Sequence, residues 1–132
     1  MNQITVEQKL TALGELYVRI ERIAAEMKGT ASRSNVERSF LGATVASSKE
    51  ENSLALFVRM PGGFFIEFAP FYPLGQPGNN LIVQARRYQK GTRRNDWQFR
   101  FSEGEWQRTQ SALSDQEIRE CLTPDGPSGA FG

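Results

Sequence analysis

At 132 residues the chain has the length of one compact domain. With 39% hydrophobic against 23% charged residues it carries enough apolar surface to bury a core, which excludes a disordered polyampholyte. A formal net charge of +1 supplies no global field to draw nucleic acid, membrane or acidic partners, so any electrostatic function must come from where the charges lie. A lone cysteine, Cys121, forbids an internal disulfide. The N-terminus has no secretory pattern, and no apolar run approaches the roughly 20 residues that span a bilayer, so the sequence predicts a soluble, cytoplasmic chain with no membrane partner.

The first element expected is one long helix over residues 5–28. Thr5 and Gln8 have the spacing of a capping box, and Gly29 suits the left-handed residue that ends a helix. Within it Val6, Leu10, Leu13, Tyr17, Ile20, Ala24 and Met27 recur in alternating steps of four and three, the seam of a heptad pattern, and Leu16 and Ile23 widen it. Such a stripe must be buried, either on the chain's own sheet or against a second copy. Leu10, Leu13, Tyr17, Ile20 and Met27 are the residues through which a homodimer would pair, and both options stay open at this point.

Residues 30–38, TASRSNVER, predict a polar linker. After it the period changes from helical to alternating. SFLGATVASS is a strand candidate, and LALFVRM is a stronger one, with Leu54, Leu56, Val58 and Met60 on one side. Pro61, Gly62 and Gly63 make a turn into FFIEFA, so residues 54–69 predict a hairpin. APFYPLGQPGNN, with three prolines and two glycines, is a loop that leaves Phe71 and Tyr72 available for exposure. LIVQARRYQK and DWQFRF form a last strand pair joined by the basic loop GTRRN, with Trp97, Phe99 and Phe101 on the core side. Ser102 and Glu105 repeat the capping-box spacing and predict a helix over residues 102–122 that includes Trp106 and Leu113 and restarts near Ser114. Residues 123–132 read as a disordered tail. The sum is a single α+β domain over residues 1–122: a helix at 5–28, an antiparallel sheet of about five strands at 39–101, and a helix at 102–122.

Catalytic chemistry is hard to assemble from this composition. With no histidine, the commonest neutral-pH base and metal ligand are both missing. Cys121 has no histidine to activate it and reads as an inert thiol. Glu67, Glu103, Glu105 and Asp115 form no identifiable acid–base pair, and no GxxxxGK[ST] cradle is present. No enzyme activity, metal or cofactor is expected.

One stretch does suggest binding. ARRYQKGTRRNDWQFRF, residues 85–101, holds six cations from Arg86 to Arg100 against Asp96, a local balance of +5 that leaves −4 for the rest of the chain. If residues 81–90 alternate as a strand, Ile82, Gln84, Arg86, Tyr88 and Lys90 share one face, and Leu81, Val83, Ala85 and Arg87 the other. Cations for phosphates and a ring for an unpaired base are the two ingredients of single-strand binding. Arg93 and Arg94 in the loop and Arg100 on the next strand would extend the surface. The plainer alternative is edge protection, in which cations keep an exposed strand from pairing with other chains. Edge protection needs one or two lysines and not four arginines in nine residues.

The run ARRYQKGTRRNDWQFRFSEGEWQRTQSAL resembles the end of the transcriptional coactivator family of single-stranded DNA-binding proteins and, more loosely, the Whirly proteins. The matching pieces are Arg86, Arg87 and Tyr88 for a basic strand, Lys90 and Gly91 for a turn, and Ser102, Glu105 and Trp106 for a helix start. The resemblance implies a dimeric, single-stranded DNA-binding module. The expectation is therefore a non-enzymatic protein that binds single-stranded nucleic acid through Arg86, Tyr88, Lys90, Arg93, Arg94 and Arg100. Two alternatives remain, and the first explains the same residues. One is a protein-binding adaptor or inhibitor, such as a small phage- or plasmid-encoded factor acting on a host protein, because aromatics and arginine dominate interface hot spots. The other is a small-molecule carrier with Phe57 and Phe65 lining a pocket.

Overall fold

The structure is a computed structural model that describes residues 5–34, 39–40, 43–44, 55–71, 74, 81–94, 96–109 and 111–124. It is an α+β arrangement in which helices stand at both ends of the chain and an antiparallel sheet lies between them. Helix α1 spans Val6–Glu26. Thr5 Oγ1 accepts from the Gln8 amide at 3.0 Å while Gln8 Oε1 accepts from the Thr5 amide at 2.9 Å, so the expected capping box closes. At the other end the Gly29 amide donates to the Ala24 carbonyl (2.8 Å) and the Lys28 amide to the Ala25 carbonyl (3.1 Å), the paired bonds of a Schellman cap. The left-handed residue is Lys28, at φ 70°, and not Gly29. Glycine is needed at 29 for a different reason: a Cβ there would collide with Met60 Sδ and lie 3.1 Å from the Arg59 carbonyl oxygen.

The chain then enters the sheet sooner than expected. Strand β1, Thr30–Ser34, occupies most of the predicted linker and pairs antiparallel with β4, Ala55–Met60, from Thr30 opposite Arg59 to Ser34 opposite Ala55. Its polar composition hides it, because an edge strand bonds through its backbone and needs no apolar alternation of its own. Ser39–Phe40 (β2) and Ala43–Thr44 (β3) pair with each other, and the rest of the SFLGATVASS candidate lies outside the described residues. Strand β5, Phe64–Pro70, returns against β4 through the turn at Gly62 and Gly63, both at positive φ, as the predicted hairpin requires. Strand β6, Ile82–Gln89, pairs with β5 along its length. Tyr72 and the tail 125–132 fall outside the described residues, and Phe71 is half-buried.

Two tight turns shape the second half of the sheet. Lys90 (φ 51°) and Gly91 (φ 83°) turn β6 back into β7, Thr92–Arg93, so part of the expected loop is a short strand. Strand β8, Trp97–Ser102, pairs with the first half of β6. Glu103 (φ 53°) and Gly104 (φ 83°) then reverse the chain into β9, Glu105–Gln107. Two consecutive positive φ values are the signature of a two-residue hairpin. The helix expected to open at Ser102 and Glu105 is therefore not formed there. The apolar alternation of Trp97, Phe99 and Phe101 continues around the turn to Trp106, whose ring lies 5.3 Å from Phe101 and whose indole N–H donates to the Ala12 carbonyl of α1 at 2.9 Å. Cross-strand packing outweighs the Ser-x-x-Glu spacing. A capping box does form at Ser114 and Glu117, opening α2, Asp115–Cys121. Among the described residues the main sheet has seven strands in the order β1, β4, β5, β6, β8, β9, with β7 beside β6.

Helix α1 lies across one face of this sheet. Leu13, Leu16, Tyr17, Ile20, Ile23 and Ala24 are buried against Leu56, Val58, Ile66, Phe68, Val83 and Phe99, and Leu10 and Met27 pack on the rim of that core. The Tyr17 hydroxyl donates to the Phe68 carbonyl at 3.2 Å. The residues expected to pair two copies (Leu10, Leu13, Tyr17, Ile20 and Met27) thus pack within the chain itself. Burying each large apolar side chain contributes about 1.5–3 kcal/mol, and here the seam's burial is against the chain's own sheet. Helix α2 rests on the same side, where Arg19 donates to the Leu113 carbonyl (3.0 Å) and to Asp115 (2.9 Å), and Arg119 pairs with Glu26 at 3.0 Å.

Candidate nucleic-acid interface

With both helices on one face, the register of the central strands decides which side chains lie on the other. β6 alternates as its sequence predicts: Val83, Ala85 and Arg87 are buried toward the helices, and Ile82, Gln84, Arg86 and Tyr88 are half-buried on the opposite face. Tyr88 is directly opposite Phe65 of β5, and Phe65 lies beside Phe57 of β4. Ring centroids are 5.9 Å apart for Tyr88 and Phe65 and 6.0 Å for Phe65 and Phe57, the latter pair stacked at 15°. Three adjacent strands thus carry one aromatic row. Arg59 is opposite Phe65, Arg86 opposite the buried Glu67, and Arg100 opposite Ile82.

The six expected binding residues separate into groups. Arg86, Tyr88 and Arg100 share the helix-free face, and neither Arg86 nor Arg100 makes a salt bridge among the described residues. Lys90 stands exposed at the tip of the β6–β7 turn. Arg93 is already engaged: its Nε and Nη2 donate to Asp96 Oδ1 (3.0 Å) and Oδ2 (2.5 Å), and its guanidinium carbon lies 5.8 Å from the Tyr88 ring centroid. The Asp96 hydrogen bond raises the Arg93 pKa still further. The Gln84 amide also donates to Asp96, at 3.0 Å, so this carboxylate ties the short strand to the sheet. Arg94 is half-buried, with its backbone amide on the Arg87 carbonyl at 2.7 Å.

Arg87, next to Arg86 in the chain, belongs to the scaffold. It is 3% exposed, donates to the Cys121 carbonyl (3.1 Å) and the Thr123 carbonyl (2.8 Å), and sits over the rings of Phe64 (5.2 Å) and Trp97 (5.5 Å). It therefore holds the C-terminal end of α2, where unsatisfied carbonyls favour a cation. Cys121 is fully buried, and that burial pushes its thiol up to about 12, although Arg87 and Arg108 pull the other way. A thiol held in that state is not a nucleophile. Among the described residues no group of three or more His, Cys, Asp or Glu side chains is placed to hold a metal, and no helix is long and apolar enough to cross a membrane.

Sequence reasoning passes over part of this face. It places Phe57 and Phe65 only as pocket lining, yet their position opposite Leu56, Val58 and Ile66 in the alternation is a signal in itself. An aromatic at a position where the pattern calls for a polar residue asks for a partner. Arg108, exposed just after β9, escapes it as well. This arginine lines a groove of about 360 Å³ together with Ile82, Gln98, Arg100 and Thr109. No family model matches this chain, and no curated protein or solved structure does either.

Proposed function

We propose that this chain is a non-enzymatic protein that binds single-stranded nucleic acid on the sheet face turned away from its helices. The observation that carries the reading is the row of Phe57, Phe65 and Tyr88 across three adjacent strands, with Arg86 beside it and Arg100 farther along the same face, neither in a salt bridge among the described residues. Every base has a π-face, so stacking on aromatic side chains holds bases with little regard to sequence, while guanidinium groups hold the phosphates between them. A base-paired strand offers no free faces to such a row, which favours unpaired nucleic acid. Lys90 at the turn tip adds charge at the strand's approach, and Arg93 joins it to the extent that phosphate displaces Asp96.

The test is fluorescence anisotropy with a labelled single-stranded oligonucleotide at low and moderate salt, for the native chain and for Tyr88→Ala and Arg86→Gln/Arg100→Gln variants. Binding that weakens with salt and with both variants is the expected result. Binding that neither variant weakens removes this surface from consideration. A protein partner seated on the same aromatics is the second reading, favoured by the Phe57 and Phe65 stack, and salt separates the two. Phosphate contacts fade steeply as salt rises, and an aromatic-centred protein contact does so far less.

A further inference from the structure

The two edges of the main sheet are finished differently. At one end β9 is three residues long and the chain returns along its outer side, where Gln107 bridges to Ala112 and the Leu113 amide donates to the Trp106 carbonyl at 2.8 Å. At the other end β1 runs five residues in unbroken register with β4, from Thr30 to Ser34, and among the described residues it pairs with no other strand. Thr30, Ala31, Ser32 and Arg33 are all exposed. An edge strand presents backbone N–H and C=O groups outward, a template for another strand unless proline, a bulge or an unmatched charge blocks it. TASRS has no proline and no bulge, and its one charge is matched on the helix side: Arg33 donates to Glu21 of α1 at 2.7 and 2.9 Å and lies 5.7 Å from the Tyr17 ring centroid.

We infer that β1 pairs antiparallel with β1 of a second copy of this chain, giving a two-fold dimer whose sheet is continuous across both copies. The register that uses all five residues centres on Ser32, so that Thr30 of each copy stands opposite Ser34 of the other and Arg33 opposite Ala31. No two arginines are opposed. The strand is thus complementary to itself, as a two-fold contact requires, and with the β9 edge covered the assembly closes at two chains. The consequence lies on the helix-free face. Ser32 is opposite Phe57 in the β1–β4 pairing, so the two share that face, and a two-fold axis perpendicular to the sheet keeps the helix-free faces of both copies on one side. The row of Tyr88, Phe65 and Phe57 in one copy then continues through the paired Ser32 positions into the row of the other, with the two Phe57 positions three strand spacings apart, roughly 14 Å. The pairing stands by itself; that a nucleic-acid strand crosses the doubled row rests on the nucleic-acid reading of this face.

Sedimentation equilibrium of the full chain over a range of concentrations tests it, beside the oligonucleotide assay. Five strand positions make a small contact, so the expected result is a reversible dimer whose average mass rises toward twice the monomer value as the concentration reaches about 100 μM. Ser32→Lys sets two like charges against each other at the centre of the pairing and should return the chain to a monomer. Ser32→Cys supplies a second readout. Across the two-fold the Cα atoms of residue 32 would lie about 4.5–5.5 Å apart, inside the span a disulfide bridges, so oxidised glutathione should link two copies far faster than it links Val18→Cys, placed on the exposed side of α1. The native Cys121 is fully buried and takes no part. A chain that stays monomeric throughout, a dimer that Ser32→Lys leaves intact, or equal linking at the two positions overturns the inference. A dimer that binds no oligonucleotide upholds the pairing and removes the nucleic-acid reading, and oligonucleotide binding by a monomer does the reverse.

Discussion

The two faces of β6 carry the same kinds of side chain and use them in opposite ways. Toward the helices, Arg87 is 3% exposed and spends its hydrogen bonds on the Cys121 and Thr123 carbonyls, with Phe64 and Trp97 as its walls. Away from them, Arg86 and Tyr88 are half-buried, and Arg86 has no salt-bridge partner among the described residues. An arginine and an aromatic ring make a structural clamp on one face and a candidate ligand surface on the other. What separates them is the company they keep: backbone carbonyls at a helix end in the first case, a row of rings across neighbouring strands in the second. Counting cations along residues 86–94 cannot make that distinction, and strand alternation can.

The largest effect expected from breaking this comparison is on stability, from the clamp. Arg87→Met keeps the apolar stem but leaves the buried Cys121 carbonyl and the partly buried Thr123 carbonyl at the end of α2 without their donor, which should cost about 2 kcal/mol in urea unfolding. Arg86→Met, one residue away, should change stability by no more than about 0.5 kcal/mol. Equal losses at the two positions would erase the division of labour. On the other face, Tyr88→Ala should weaken oligonucleotide binding by roughly 1–3 kcal/mol, the worth of one stacked base, and Tyr88→Phe should retain most of it because the ring and not the hydroxyl carries the contact. Titration of both variants at one salt concentration decides the point.

Much of the division is legible in the sequence. Once residues 81–90 are taken as a strand, period-two alternation puts Arg87 with Val83 and Ala85, and Arg86 with Tyr88, as the structure does. The N-terminal cap of α1 is legible too, because Thr5 and Gln8 act locally. Which way the heptad seam faces is not, because the side chains that fit a second helix also fit a sheet. Only the apolar face of β4, β5 and β6, which needs a cover, settles that. Strand β1 escapes because TASRS shows no alternation, and the β8–β9 hairpin escapes because Ser-x-x-Glu occurs in caps and turns alike. There the informative residues are Glu103 and Gly104, at φ 53° and 83°, and the unbroken aromatic alternation on either side. The pairing of Arg93 with Asp96 is also out of reach, since it depends on the chain turning back at Lys90 and Gly91.

That pairing yields a sharper test within the ligand face. Arg86→Gln and Arg100→Gln should each lower the slope of log affinity against log salt by about one, the signature of one lost phosphate contact. Asp96→Asn should act in the opposite direction. Removing its charge releases Arg93 from an ion pair and strengthens oligonucleotide binding by a small factor, with a steeper salt dependence. If Asp96→Asn weakens binding, the carboxylate serves to position Arg93 and does not compete with phosphate for it.

The smallest expected effect lies on the helix side, at the junction of α1 and α2. Asp115 accepts from Arg19 at 2.9 Å and lies 3.5 Å from Arg22, and the Arg19 hydrogen bond leads the causes that hold its carboxyl below the ordinary value of 3.8. A carboxyl whose folded-state pKa is lowered stabilises the fold while it is charged. Its contribution is therefore complete above the unfolded-state value near 3.8 and is lost as pH falls through the lower folded-state value. The pair is 30% and 45% exposed at its two side chains, so solvent screening keeps the gain to a fraction of about 1 kcal/mol. Urea midpoints of the native chain and Asp115→Asn should differ slightly near neutral pH, draw together below pH 3.8, and draw together at neutral pH when salt is added. A gap that persists in acid or in high salt would assign the role of Asp115 to the first turn of α2, where its side chain packs whether or not it is charged, and not to the arginines of α1.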